Sequence, residues 1–298
     1  MKFSSNQLKL ISEIVSSHQD LLIEQRESAE CLVWTQDNAV YLIVKQAAWE
    51  LGFIDQDAEC IALAWLMHTS DINHLNPSYW PNDPKLFGLS LRHGKLNFAA
   101  CRHDLGLYVV APDAQWVKKL AQAGVKTIQL RFKSTQADLI EKEIVDSISA
   151  CLNEDISLFI NDHWQLAIKH QAYGIHLGQE DLVNADLDLI RKSSCRLGIS
   201  SHGYAEMINA DQYSPSYIAI GAVYPTTLKQ MQTAAQGIGR LRQYAKLLEA
   251  YPLVGIGGIS EDRIHDVLQT GVGSVALVRA VINSLDYVSA IKNLQDHF

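Results

Sequence analysis

The chain has 298 residues, 48% hydrophobic and 19% charged, the balance of an ordinary globular protein and not of a disordered one. Its formal net charge of −8 argues against non-specific binding to nucleic acid or to acidic membranes, since both require a surplus of Lys and Arg. Any anionic ligand must therefore be held by local charge.

The N-terminal stretch MKFSSNQLKLISEIV has no continuous apolar core and no small-residue cleavage site, so no secretory signal is expected. No uninterrupted apolar run of about 18 residues exists that could span a bilayer. Cys31, Cys60, Cys101, Cys151 and Cys195 are scattered singly with no CxxC pair, which disfavours a zinc ribbon or thioredoxin-like motif and fits reduced thiols in a cytoplasmic protein. Strand-like runs occur at CLVW near Cys31 and VYLIV near Val40. They precede a helical segment that places Ile61, Ala64, Trp65 and His68 on one stripe, with Asp57 as its N-cap. Pro77, Pro81 and Pro84 then fall in one polar and aromatic stretch that reads as loop or linker. His68, His74, His93, His103 and Cys101 occur here, but their spacing matches no zinc pattern. Residues 1–104 are thus expected to form a small α+β accessory domain.

From Gly106 onward, short apolar runs alternate with amphipathic segments. Eight strands are expected: Leu107 to Val110, Thr127 to Arg131, Ser157 to Asn161, Gly174 to Leu177, Arg196 to Ser200, Tyr217 to Gly221, Leu253 to Gly257 and Ser274 to Val278. Helical segments follow them, with Asp113 and Ser260 as N-caps and Gly124 and Gly271 as C-terminal stops. A doubly wound open sheet needs the same alternation, but eight units favour closure. The expected fold for residues 105–298 is an α/β (β/α)8 TIM barrel.

Polar residues cluster where these strands end, the rim at which α/β barrels bind and transform ligands. Gln129, Arg131 and Lys133 alternate along the second strand, so the three side chains point to one side. A guanidinium fork beside an ammonium suits a pyrophosphate. Asn161 and Asp162 end the third strand; Gln179, Glu180 and Asp181 follow the fourth. Two carboxylates beside an amide oxygen suit Mg²⁺, which takes oxygen ligands and keeps waters for a phosphorylated substrate. Helix capping is the competing use of Asp and Asn at such positions. Thr226, Thr227 and Lys229 add hydroxyls and a cation after the sixth strand. Gly257 and Gly258 let a ligand approach the backbone after the seventh, close to a helix start. With Val278 and Arg279 after the eighth, they occupy the usual phosphate position of such barrels.

The segments QLRFK, LFINDHWQLA, GIHLGQEDL, LGISSHGYAE, YPTTLKQ, AAQG and GIGGI occur in the order and approximate spacing of the thiamine phosphate synthase family, and the chain resembles that family from about Gly106 to Ile291. The resemblance implies a (β/α)8 barrel that joins hydroxymethylpyrimidine diphosphate to hydroxyethylthiazole phosphate, or its carboxylated form, with Mg²⁺ and release of pyrophosphate. By the same resemblance Gln129 contacts the pyrimidine, and Arg131, Lys133, Asn161 and Lys229 hold the diphosphate, with Arg131, Lys133 and Lys229 as the catalytic cations. Asp162 and Asp181 bind the metal. Ser200, Thr226 and the Gly258 backbone position the pyrimidine, diphosphate and thiazole phosphate, with Thr227, Gly257, Val278 and Arg279 completing the substrate-binding set. The implied mechanism is dissociative: diphosphate departs and the thiazole nitrogen captures a pyrimidine methyl cation.

Two positions depart from the family pattern: Leu228 replaces the second threonine of Thr-x-Thr-Lys, and Arg279 stands where serine is frequent. The alternatives are a thiazole tautomerase, with a histidine at the position of His202, and a non-catalytic regulator that binds thiamine precursors. The expected partners are small molecules, with neither nucleic acid nor membrane. Apolar residues on barrel helices leave room for a homo-oligomer, although scattered surface apolar groups are ordinary.

Overall fold

The computed structural model describes residues 2–23, 31–92, 97–152, 155–227 and 233–298. Three helices come first: α1 (Ser5–Ser17), α2 (Ala39–Glu50) and α3 (Asp55–His68). Then β1 (Gly106–Ala111), α4 (Ala114–Gln122), β2 (Thr127–Leu130), α5 (Ala137–Cys151), β3 (Ser157–Asn161), α6 (Trp164–Lys169) and β4 (Gly174–Leu177) alternate. Two short helices, α7 (Gln179–Leu182) and α8 (Leu187–Lys192), lead to β5 (Arg196–Ser201), α9 (Tyr204–Gln212), β6 (Tyr217–Ile220) and α10 (Gly237–Leu247). The chain ends with β7 (Leu253–Ile256), α11 (Ile264–Leu268), β8 (Ser274–Leu277), α12 (Arg279–Ile282) and α13 (Tyr287–Gln295).

All eight strands are parallel neighbours in chain order, and β8 pairs with β1 to close the barrel. The expected strands are all present, with ends shifted by one residue at most. Inside lies a compact core of Leu105, Tyr108, Val110, Phe159, Tyr217, Ala219, Val254 and Ala276. The opposite strand faces pack against the helices in a second, larger core. The register sets Asn161 beside His176, His176 beside Gly198, and Ser200 beside Ala219. Polar side chains of β3, β4 and β5 are thereby brought to one level.

Local signals fix the first barrel helix. Asp113 accepts the Trp116 N–H at 2.8 Å, and Gly124 follows its end at φ +84°. Ser260 makes no side-chain cap; a 3₁₀ turn (Glu261–Arg263) separates it from α11.

The N-terminal region differs from the α+β expectation, because its described residues hold helices and 3₁₀ turns but no strand. Residues 31–38 have no regular structure, and VYLIV lies in α2. Val40, Tyr41, Ile43, Val44, Ala47 and Ala48 are all buried, and burial around most of the helix overrides the β preference of a branched run. In α3, Ile61, Ala64 and Trp65 are buried, whereas His68 is exposed and stacks on Tyr79. Asp57 sits inside that helix instead of capping it, since Ile54 occupies the cap position. The proline stretch is irregular, yet Trp80 and Phe87 are buried.

This region packs on the outside of the barrel around α9 and α10. The guanidinium of Arg240, 2% exposed, donates to the carbonyls of Leu21 and Leu51 at 2.9 Å each and lies 3.6 Å from the Phe53 ring centre. All five cysteines are free thiols. Among the described residues, no helix is long and apolar enough to cross a membrane.

Candidate active site

The carboxyl ends of the strands surround a cavity of about 670 Å³, within the size range of small-molecule sites. Gln129, Arg131, Lys133, Asn161, Asp162, Asp181, Ser200, Thr226, Gly257, Gly258, Val278 and Arg279 all line it, together with Glu180 and His202. Thr227 lies outside this lining, on the exposed rim, where its hydroxyl accepts from Arg279 Nη1 at 3.2 Å. Arg279 thus faces both the cavity and its neighbouring loop. Lys229 and Leu228 lie outside the described residues, as does His93.

One wall carries the charge. Lys133 Nζ donates to Asp162 Oδ2 at 2.6 Å. Asp162 has φ +63°, a conformation that costs most L-residues energy but that Asp tolerates. Its backbone turns sharply just after β3, with the Asp162 N–H bonded to the His176 carbonyl at 3.0 Å. The capping alternative does not apply to Asp162, because α6 has no side-chain cap. It applies in part to Asp181, whose Oδ2 accepts the Gly178 N–H at 3.0 Å. Burial, and then the neighbouring negative charge of Asp162, raise the Asp181 carboxyl above the usual range. Two neighbouring carboxylates at the mouth of a cavity are a donor set that fits a hard cation. Among the described residues, no three His, Cys, Asp or Glu side chains gather as a metal cluster.

The floor is a chain of hydrogen bonds across the barrel. Gln129 Nε2 donates to the Tyr108 hydroxyl at 3.2 Å, and the Tyr108 and Tyr217 hydroxyls are 2.8 Å apart. Tyr217 OH lies 2.7 Å from His176 Nδ1, and His176 Nε2 lies 2.8 Å from Ser200 Oγ. Burial drives both tyrosine hydroxyls well above their ordinary pKa, so they stay protonated and available as donors. Gln129 and Ser200 are held by this chain, which the sequence reading missed. Tyr108, His176 and Tyr217 read there as members of apolar strands. The available signal was their shared polar handle on inward-facing positions of separate strands.

The glycine turn lines the cavity and is closely packed behind. Gly257 and Gly258 have φ +102° and +63°. A Cβ on Gly257 would lie 2.5 Å from the Ala222 Cβ, and one on Gly258 would lie 2.5 Å from the Pro225 carbonyl oxygen. The loop after β6 docks there through the Tyr224 N–H and Gly257 carbonyl, at 2.9 Å. Helix α11 has five residues and is preceded by Glu261 and Asp262. The helix start that the sequence places after this turn thus comes behind a 3₁₀ turn that carries two acidic residues.

A closed parallel barrel with a cationic and acidic wall at the carboxyl ends of its strands defines an α/β-barrel protein of the class that carries its ligand site on that rim. The sequence model of the thiamine monophosphate synthase family matches residues 104–281, and this chain belongs to that family. It is 49% identical over 197 residues to the thiamine-phosphate synthase of Photorhabdus laumondii, covering 66% of this chain and 91% of that protein. To the thiamine-phosphate synthase of Neisseria meningitidis it is 45% identical over 200 residues, covering 67% and 98%. The solved thiamine phosphate pyrophosphorylase of Pyrococcus furiosus superposes with a TM-score of 0.58 at 26% identity, over 66% of this chain and 96% of that one. Residues 1–103 and 282–298 lie outside the family match.

Proposed function

We propose that this chain is a thiamine-phosphate synthase, a transferase that joins hydroxymethylpyrimidine diphosphate to hydroxyethylthiazole phosphate or its carboxylated form and releases pyrophosphate. The observation that carries this reading is the wall where Lys133 meets Asp162 and Asp162 meets Asp181, beside Arg131 at the mouth of one cavity. A thiazole tautomerase has no use for such a diphosphate grip.

Arg131 and Lys133 hold the diphosphate and stabilise the charge that grows on it as the carbon–oxygen bond breaks. Asn161 and Thr226 contact the same group, and Lys229 supplies a third cation. Gln129 and Ser200, fixed by the floor chain, orient the pyrimidine ring so that its exocyclic carbon faces the thiazole nitrogen. Gly258 offers its backbone to the thiazole phosphate, with Gly257, Val278 and Arg279 around it. No side chain acts as a nucleophile. Asp162 and Asp181 would hold Mg²⁺, which when bound supplies positive charge to the diphosphate oxygens. The barrel is one domain of the chain and residues 1–104 are an accessory one; the protein works in the cytoplasm.

The test is pyrophosphate release by the purified full chain with both substrates and Mg²⁺. Stoichiometric pyrophosphate and thiamine phosphate are expected. Tight binding of both substrates without release would replace this reading with that of a precursor-binding regulator.

A further inference from the structure

Helix α9 begins next to the cavity, and its cap comes from outside the barrel. Gly203 occupies the cap position and has no side chain to offer. In its place Asp57 of α3, 3% exposed, accepts the Ala205 N–H on Oδ1 at 2.9 Å. The approach is so close that a Cβ on Gly203 would lie 2.0 Å from Asp57 Oδ2. The N-terminal region also encloses the next residue, Tyr204. Phe87 stacks on its ring at 5.2 Å, and Trp80 Nε1 donates to its hydroxyl at 3.0 Å.

The other side of this turn faces the reaction. Glu206, in the first turn of α9, accepts the His202 N–H at 2.9 Å and lies 2.6 Å from His202 Nδ1. His202 and Ser200 line the cavity. Gln179 Nε2 donates to the Ser200 carbonyl at 2.8 Å, and Asn209 of α9 holds Gln179 Oε1 at 2.7 Å. The far end of α9 supplies an internal control. There Asp211, 2% exposed, accepts the Ser90 and Leu91 N–H groups at 2.6 and 3.0 Å. It also ties the N-terminal region to the barrel, but at the end away from the strands' carboxyl termini.

We infer that Asp57 is a positioning residue for the reaction: by capping α9 from the N-terminal region, it fixes the turn after β5 that presents Ser200 and His202 to the substrate. This gives residues outside the family match a part in substrate binding. The substrate readout rests on the synthase reading above.

The test uses full-length Asp57→Ala, Asp57→Asn and Asp211→Asn, with pyrophosphate release, melting temperature and amide hydrogen exchange measured on each. Loss of a buried cap in Asp57→Ala is expected to raise KM for the pyrimidine diphosphate about tenfold and to leave kcat within about threefold. Amides of residues 201–206 are expected to exchange about tenfold faster. Asp57→Asn keeps an oxygen acceptor and is expected to hold KM within about threefold of the parent. Asp211→Asn should melt earlier with KM unchanged. An unchanged KM in Asp57→Ala, or an equal rise in Asp211→Asn, overturns the inference. A parent that never turns over defeats the synthase reading alone; exchange at 201–206 then decides, and unchanged exchange in Asp57→Ala overturns the positioning role. If Asp57→Ala does not fold, Asp57→Ser, with a shorter oxygen-bearing side chain, takes its place in each comparison.

Discussion

In the barrel, charged side chains gather at the carboxyl ends of the strands, where Lys133, Asp162 and Asp181 share a cavity open to solvent. In the N-terminal region the charges are enclosed. Lys45, fully buried, hydrogen-bonds the Val33 carbonyl and pairs with Asp55 at 3.0 Å and Glu59 at 2.6 Å. Arg240 on α10 and Asp57 on α3 meet backbone groups across the boundary between the two regions. Each enclosed charge has its partners in place, which is what burial requires. At the mouth, by contrast, burial and then the facing charge of Asp162 raise Asp181, an arrangement that favours a ligand over stability. The difference teaches that a buried charge with a full set of partners marks a clamp, while carboxylates set against each other in a cavity mark chemistry.

That contrast can be broken by removing one group from each kind. A large effect is expected at the mouth: Arg131→Ala should lower kcat/KM by about a hundredfold or more, with the melting temperature unchanged. If it lowers stability instead, the mouth is structural. At the clamp, Arg240→Met leaves the Leu21 carbonyl without its donor and the Leu51 carbonyl with only the Ile23 N–H, and should cost about 2–4 kcal/mol in urea unfolding, with far less change in kcat. A neutral result there would mean that the N-terminal region is held by its apolar contacts alone.

A further expected effect is a pH dependence. Burial raises the Asp57 carboxyl to about 6, opposed by the Ala205 N–H and Arg240, with Glu206 adding to the rise. Because this acid is raised above its ordinary 3.8, the folded chain binds an extra proton between those values. Its contribution to stability is then largest below the ordinary carboxylate pKa and is lost as pH rises through about 6. The loss is on the order of 3 kcal/mol, and Asp57→Asn should abolish it. Equal pH slopes in the two chains would remove the assigned burial cost.

Much of the barrel was legible because parallel strands advertise themselves twice, as short apolar runs and as polar tips. Gln129, Arg131, Lys133, Asn161, Asp162 and Asp181 follow from that pattern, and all line one cavity. Tyr108, His176 and Tyr217 were hidden because a polar group on an inward position looks like core until three strands are closed around it. In the N-terminal region, VYLIV misled because its branched residues signal strand locally while tertiary burial made a helix. Asp57 misled for a related reason: it does cap a helix, but one 148 residues away in the chain. Local sequence carries no trace of such a partner.

Pyrophosphate release by the Asp162→Ala chain, set beside that of the parent under the same Mg²⁺ and substrate concentrations, is the most direct measurement. If the acidic and cationic wall drives departure of the diphosphate, the variant should keep its melting temperature and lose about a thousandfold in kcat/KM. Turnover at the parent rate by a folded Asp162→Ala chain would contradict the account.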